Sequence, residues 1–365
     1  MHQSLILAMY LSKATAEMKK KNEQDWIQKK KERRESIVPQ QLFEGITSLD
    51  RSALSAAITL IESTNAKHRL DASELLQLCL PKSGNSIRVG VTGVPGVGKS
   101  TFIEAFGKVL VAEGKKVAVL AIDPSSSVSG GSILGDKTRM NELSNMQEVF
   151  IRPSPAGETL GGVARKTRES IILCEAAGYD VILIETVGVG QSETVVKSMV
   201  DFFLLLMLSG AGDELQGIKK GIMEMADALV ITKTDGDNVR KSNLAASEYR
   251  NAMHLFPPNS NGWVPQVFTC SAYENTNIDK VLKVINEFAS KVKSNGSFEA
   301  NRKQQDKKWL RETLKELILN DFFGDSEMVQ SLANIEEQVV KGELTSFQAA
   351  EKMYKIYKDG TGLHD

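Results

Sequence analysis

An α/β fold, with a mostly parallel sheet flanked by helices, is predicted by three observations. The first is the run Gly93-Val94-Pro95-Gly96-Val97-Gly98-Lys99-Ser100, a complete G-x-x-x-x-G-K-S loop. It sits between a strand-like run, Ile87 to Thr92, and a helix-like run from Thr101 to about Glu113, the setting that turns the pattern into a phosphate-binding loop. The second is the alternation of strand-length apolar runs with helical patterns from about Ser86 to Val292. The third is that several of these runs are continuously apolar, among them Val181-Ile182-Leu183-Ile184 and Phe203-Leu204-Leu205-Leu206. Strands covered by helices on both faces have this character.

Taken in order, the first 85 residues read as helical. Residues 17 to 35 are dense in charges of both signs and include Lys19-Lys20-Lys21 and Lys29-Lys30-Lys31. Such a run suits a solvated helix face, with an acidic partner as the alternative. Leu54, Ala57, Ile58 and Ile61 recur at i, i+3, i+4 and i+7, so their helix packs on something. Strands are expected at 86–92, 116–122, 148–152, 180–185, 202–208, 228–232 and 264–269, with the ligand at their carboxyl ends. Lys293-Ser294-Asn295-Gly296-Ser297 reads as a linker, and helical patterns follow at about 300–320, 325–341 and 344–358. The chain thus divides into a helical N-terminal region (1–85), a P-loop NTPase domain (86–293) and a helical C-terminal arm (294–365). Trp309, Leu310, Leu314, Leu317 and Ile318 form an apolar stripe on the arm. It either packs back on the nucleotide domain or forms a dimer seam.

The 365 residues carry a formal net charge of −1, so no overall basic field points to nucleic acid. Hydrophobic residues make up 41%, ample for a globular core. No stretch is long and apolar enough to span a membrane. Leu5 to Leu11 has no Lys or Arg before it and no A-x-A site after it, so it reads as helix rather than signal peptide. Cys79, Cys174 and Cys270 lie far apart, form no C-x-x-C pair and suit a reducing compartment. A cytoplasmic location is expected.

The motifs specify a nucleotide site. Backbone N–H groups of the loop Gly93 to Ser100 (all but Pro95, which has none), and of Thr101 as the helix begins, converge on phosphate oxygens at the positive end of that helix. Lys99 is expected at the β- and γ-phosphates and Ser100 at a magnesium ion. Thr232-Lys233-Thr234-Asp235 follows the strand Ala228-Leu229-Val230-Ile231 as a variant of the N/T-K-x-D guanine motif. A carboxylate at Asp235 accepts from N1–H and the 2-amino group of guanine, a donor pair adenine lacks, so GTP and GDP are the expected ligands. The Lys233 stem packs along the base, and Ser271-Ala272-Tyr273, after Cys270, forms the supporting loop. Asp123, before Pro124, ends the second strand and either holds magnesium through water or caps a turn. Glu185-Thr186-Val187-Gly188 ends another strand, where Glu185 can hold the metal's water and the Gly188 N–H can meet the γ-phosphate. In Ras-like proteins a glutamine follows that glycine and orients the attacking water. Val189 stands here instead, and Gln191 is near but not equivalent. Hydrolysis is therefore expected to be slow or to depend on a partner.

Longer segments carry a resemblance. They are Asp123-Pro124-Ser125-Ser126-Ser127 through Gly135-Asp136-Lys137-Thr138-Arg139-Met140, Arg152-Pro153-Ser154, Gly161-Gly162-Val163-Ala164, Glu185 through Ser192, and Gly210-Ala211-Gly212-Asp213-Glu214-Leu215 through Lys219-Lys220. Together they resemble the MeaB/ArgK family, the GTPases associated with methylmalonyl-CoA mutase, from about residue 50 to about 320. Arg302, Gln304, Gln305 and Trp309 also look like that family. The resemblance implies a dimeric, metallochaperone-type GTPase that binds a cobalamin-dependent acyl-CoA mutase. Its GTP cycle gates delivery of adenosylcobalamin to the mutase and protects it. It also implies that Asp123, Asp136 and Glu185 surround magnesium and the attacking water, and that Gly210–Lys220 is a third mobile switch delivering Lys219 to the nucleotide. From the residues alone, Ser125 to Gly135 is a Ser- and Gly-rich loop, and Asp136 with Arg139 reads as a surface ion pair.

The main alternative is a nickel-insertion GTPase. It needs metal ligands, whereas His2, His68, His254 and His364 are dispersed. A non-catalytic nucleotide-dependent scaffold is a second, kept open by the missing glutamine. A signal-recognition-type GTPase is a third, which would want a Met-rich helical domain, whereas the 12 methionines are spread along the chain.

Overall fold

The computed structural model describes residues 38–63, 65–122, 140–153, 160–186, 192–210, 220–257 and 259–360. Seven strands form one sheet: β1 (Ile87–Gly93), β2 (Val117–Ile122), β3 (Val149–Arg152), β4 (Val181–Thr186), β5 (Phe202–Met207), β6 (Ala228–Ile231) and β7 (Gln266–Thr269). Their order is β3-β2-β4-β1-β5-β6-β7, and every pairing is parallel. All seven expected strands form, with bounds shifted by one or two residues. Because all strands run the same way, their carboxyl ends share one edge. The chain lays β2, β3 and β4 on one side of β1 and β5, β6 and β7 on the other, so the loop after β1 lies at a topological switch point.

Continuous apolar runs become strands because both faces are covered. Val117, Val119, Val181, Leu183, Phe202 and Leu204 point into one core, with helices α4 (Lys99–Ala112), α5 (Asn141–Ser144) and α10 (Ile278–Ser294). Their neighbours Ala118, Leu120, Ile182, Ile184, Phe203 and Leu205 point into the other. That second core is closed by α1 (Pro39–Thr47), α2 (Arg51–Glu62), α3 (Ala66–Cys79), α6 (Leu160–Ala176), α7 (Ser192–Lys197), α8 (Lys220–Met225) and α9 (Val239–Met253). The period-2 alternation of a strand thus feeds two helical layers.

The N-terminal helices belong to this second layer. Leu54, Ala57, Ile58 and Ile61 are all buried there, as their spacing predicts. Asp50 caps α2 by accepting from the Ser52 N–H, and Asn65 caps α3 by accepting from Lys67 N–H. The lysine-rich stretch at 17–35 lies outside the described residues.

The expected linker is shorter than its composition suggests. Helix α10 runs through Ser294, and α11 (Ser297–Gly324) starts three residues later. Only Asn295 and Gly296 separate them, with Gly296 at φ +72°, a conformation that suits glycine. Two further helices, α12 (Ser326–Val340) and α13 (Ser346–Gly360), complete the arm around a small core of Ile335, Ala349 and Met353.

The apolar stripe of α11 divides. Trp309 packs back on the sheet's helical layer and its indole N–H donates to the Ser198 carbonyl at 3.1 Å. Leu310, Leu314, Leu317 and Ile318 stay exposed. The root of α11 is tied down by charge. Arg302 donates to both Asp201 carboxylate oxygens (2.9 and 2.7 Å), to the Gly84 and Ser86 carbonyls (3.0 and 2.8 Å) and to Glu175 at 3.3 Å. Glu175 is also held by a two-pronged bond from Arg88, 2.9 Å at each prong. Glu312 of α11 pairs with Arg168 of α6, and the Arg88 and Arg168 guanidiniums lie over the Trp309 ring at 5.7 and 5.3 Å.

Candidate functional site

The phosphate loop leaves β1 between β4 and β5, at the carboxyl edge of the sheet. Gly93 must be glycine: a Cβ there would sit 2.4 Å from the Leu206 carbonyl oxygen of β5. The loop's apolar anchor is Val97, which is fully buried in the core beneath it. Gly98 then adopts φ +93° and caps α4, whose N-terminus opens into the loop.

Lys99 begins α4, two residues earlier than the pattern alone suggests. Its ammonium donates to the Gly93 carbonyl at 2.9 Å and the Val94 carbonyl at 3.4 Å. Burial pushes its pKa below the ordinary lysine value, against the opposing charges of Glu185 and Glu193. The Ser100 hydroxyl donates to Glu185 Oε1 at 3.4 Å. Glu185 is buried near the end of β4, where the register sets it beside Val91 of β1 and Ala121 of β2. Thr92 and Thr186, one residue on in each strand, share a buried hydrogen bond of 2.9 Å. A hydroxyl and a carboxylate converging at the loop form a hard-oxygen donor set of the kind Mg2+ takes.

The second half of the site grows from β6 and β7, which are neighbours with Ile231 opposite Thr269. The Cys270 N–H donates to the Ile231 carbonyl at 2.8 Å and the Thr234 N–H to the Cys270 carbonyl at 3.1 Å, so the two loops leave together. The buried Ser271 hydroxyl donates to Asp235 Oδ2 at 2.6 Å. A carboxylate so oriented can take a pair of N–H donors from a base edge. Ala272 packs partly on the core, whereas Tyr273 is largely exposed.

The two halves are joined directly. The Thr232 hydroxyl donates to the Val97 carbonyl at 2.8 Å and to the Met207 carbonyl at 3.2 Å. The Lys233 ammonium donates to the Gly96 carbonyl at 2.8 Å. The structure therefore brings Gly93, Val94, Pro95, Gly96, Val97, Gly98, Lys99, Ser100, Glu185, Lys233, Asp235 and Ser271 to one edge. Asp123, Asp136, Gly188 and Lys219, together with Val189 and Gln191, lie outside the described residues. The joining role of Thr232 is what reading the sequence missed. The only available signal was its place at the head of T-K-x-D, where an amide is the commoner residue.

A doubly wound parallel sheet, a phosphate loop at its switch point and a guanine-type loop bonded to it define a GTP-binding protein of the P-loop class. Comparison with known proteins narrows this. The chain belongs to the methylmalonyl-CoA mutase-associated GTPases: the family model described as "Methylmalonyl Co-A mutase-associated GTPase MeaB" matches residues 54–327. It is similar to "GTPase ArgK" of Escherichia coli (strain K12), 50% identical over 278 residues, 76% of this chain and 84% of that protein. It is also similar to "Methylmalonic aciduria type A homolog, mitochondrial" of Mus musculus, 45% identical over 327 residues, 87% of this chain and 79% of that protein. Among solved structures it resembles "Crystal structure of LAO/AO transport system kinase" with a TM-score of 0.71 at 38% identity, over 88% of this chain and 97% of that one. Among the described residues no helix is long and apolar enough to cross a membrane.

Proposed function

We propose that this chain hydrolyses GTP to GDP and phosphate as a chaperone of a cobalamin-dependent acyl-CoA mutase, with methylmalonyl-CoA mutase the expected partner. The observation that carries this is the junction of phosphate loop and guanine-type loop through Thr232 and Lys233, in a chain of the mutase-associated family. Lys99 exchanges its bonds to the Gly93 and Val94 carbonyls for bonds to β- and γ-phosphate oxygens. Ser100 and Glu185 hold Mg2+, with Asp123 and Asp136 completing the set. When bound, the metal neutralises charge on the phosphates. Gly188 meets the γ-phosphate, and Lys219 adds positive charge once the partner docks. Adenosylcobalamin reaches this chain only through the mutase, whose loading and protection follow the GTP cycle.

Asp235 carries base selectivity. Asp235→Asn is expected to weaken GDP binding by about 1–3 kcal/mol, the cost of an unsatisfied buried polar group. It should improve xanthine nucleotide binding, because a xanthine oxygen replaces the guanine amino donor. Calorimetry with both nucleotides checks this; unchanged GDP affinity in the variant refutes the assignment.

The arm is the dimerisation element in this proposal. Ile318, Phe322, Leu332, Ile335, Val339 and Met353 line an apolar groove of about 810 Å³ on it, which a second copy would cover. The cytoplasm is the proposed location, and the three buried free cysteines suit its reducing character.

Turnover measured with and without the purified mutase tests the function. Strong stimulation is expected, because Val189 stands where a water-orienting glutamine would. Lys219→Ala should reduce partner-stimulated turnover by at least about tenfold, as loss of an inserted cation does in related transfer reactions. No response of the wild type to any acyl-CoA mutase would overturn the chaperone reading, and equal stimulation in the variant would remove Lys219 from it.

A further inference from the structure

Asn238 lies just beyond the T-K-x-D segment, at the end of the short 3-10 turn Gly236–Asn238 and immediately before α9. A residue in that place ordinarily caps the helix that follows. Asn238 does not: its side chain makes no capping bond to α9. Its amide nitrogen instead donates to the Lys233 carbonyl at 2.7 Å, and its backbone N–H donates to the Asp235 carbonyl at 3.0 Å. One residue therefore holds both ends of the Lys233–Asp235 tripeptide.

The tripeptide needs holding. Lys233 has φ +55°, in the left-handed region that a side chain with a Cβ disfavours. That turn lets the Lys233 ammonium reach the Gly96 carbonyl and sends Asp235 toward Ser271. The amide of Asn238 is oriented in turn. A carbonyl can only accept, so the amide nitrogen faces Lys233 and the amide oxygen faces away. There the Ser209 hydroxyl donates to Oδ1 at 2.7 Å. Ser209 lies two residues past the end of β5, on a strand that pairs with β6 up to Met207 opposite Ile231. The support therefore runs from a fixed strand end, through Asn238, to the recognition loop.

We propose that Asn238, seated by Ser209, is a positioning residue for guanine recognition, acting through the backbone of Lys233. The proposal rests on the reading of Asp235 as the guanine ligand. Loss of the bond to the Lys233 carbonyl frees Lys233 to leave its left-handed conformation and turns the Asp235 carboxylate off the base edge.

The test is calorimetry of GDP and IDP on the nucleotide-free full chain. IDP lacks the 2-amino group, so the GDP-to-IDP affinity ratio reports how well Asp235 meets both donors. Asn238→Ala is expected to weaken GDP about three- to tenfold, the worth of one net hydrogen bond, and to lower the ratio. Asn238→Asp keeps an acceptor for Ser209 but loses the donor to Lys233, and should do the same or worse. Ser209→Ala should lower the ratio to a smaller extent, while Ser209→Thr, which keeps the hydroxyl, should restore it. A purely structural role would lower the melting temperature and leave the ratio unchanged. If the wild type prefers GDP to IDP and every folded variant keeps that preference, the positioning role is overturned. Should Asn238→Ala not fold, the Ser209 pair decides. A wild type that does not distinguish GDP from IDP and ADP overturns the guanine reading itself, and this proposal with it.

Discussion

Lys99→Ala is expected to lower GTP turnover by orders of magnitude while leaving the fold intact. Its ammonium bonds two loop carbonyls, and its side chain is only half-buried at the edge of the sheet, so the fold does not depend on it. Phosphoryl transfer leaves a protein little to do beyond positioning and charge stabilisation, and in the proposed function Lys99 supplies both. Phosphate release at saturating GTP, together with a thermal melt, separates the two expectations. Near-normal hydrolysis in the variant would sink the phosphate-loop assignment, whereas a collapsed melting transition would show Lys99 to be structural.

Glu175→Ala is expected to destabilise the protein by about 3–5 kcal/mol, the range for breaking a buried ion pair from one side. Glu175 is fully buried and accepts from Arg88, Arg302, Ser86 and the Gly84 N–H. Without it, the Arg88 guanidinium is stranded, with its side chain 7% exposed. Burial alone would raise the Glu175 pKa. The bonds and charges of Arg88 and Arg302, with the Ser86 hydroxyl, outweigh that and hold it below the ordinary value. The sign follows from linkage: a depressed carboxylate stabilises the fold above its unfolded pKa of about 4.3 and loses that contribution as pH falls toward the folded value. Denaturant midpoints of wild type and Glu175→Gln should therefore converge as the solution is acidified below about pH 4. A gap constant with pH would show that the carboxylate's charge contributes nothing.

The parts of this molecule that were legible in its sequence are those whose chemistry is written locally. Val181 to Ile184 declares a doubly covered strand because each side chain meets a helix on its own face. Gly93 to Ser100 declares a phosphate loop because the turn, the lysine and the helix start are contiguous. Ser271 was legible only as support for Asp235, and the structure gives that support as one short hydrogen bond. The rest is non-local. Arg302 reaches back 218 residues to Gly84, and no spacing rule links Arg88, Glu175, Asp201 and Arg302. Asn238 looks like an ordinary helix cap until its side chain is seen to turn away. The arm's stripe was ambiguous for a physical reason: Trp309 and Leu310 are adjacent on a helix, yet one packs on the sheet's helical layer and the other faces solvent.

The arm's root and its apolar groove lie at opposite ends of one helix. Helix α11 has 28 residues, about 42 Å of rigid rod at 1.5 Å per residue. Its fulcrum is Arg302, five residues after its start, wedged among Asp201, Glu175 and two carbonyls. The Ser198 and Val200 carbonyls, which accept from Trp309 and Gln305 on the same rod, lie just past the end of α7, the helix that follows Glu185 to Gln191. A tilt of about 5° at that fulcrum swings the far tip, 22 residues or about 33 Å away, by roughly 3 Å. The helix is geared as a lever, with its short end beside the nucleotide domain and its long end carrying the apolar groove.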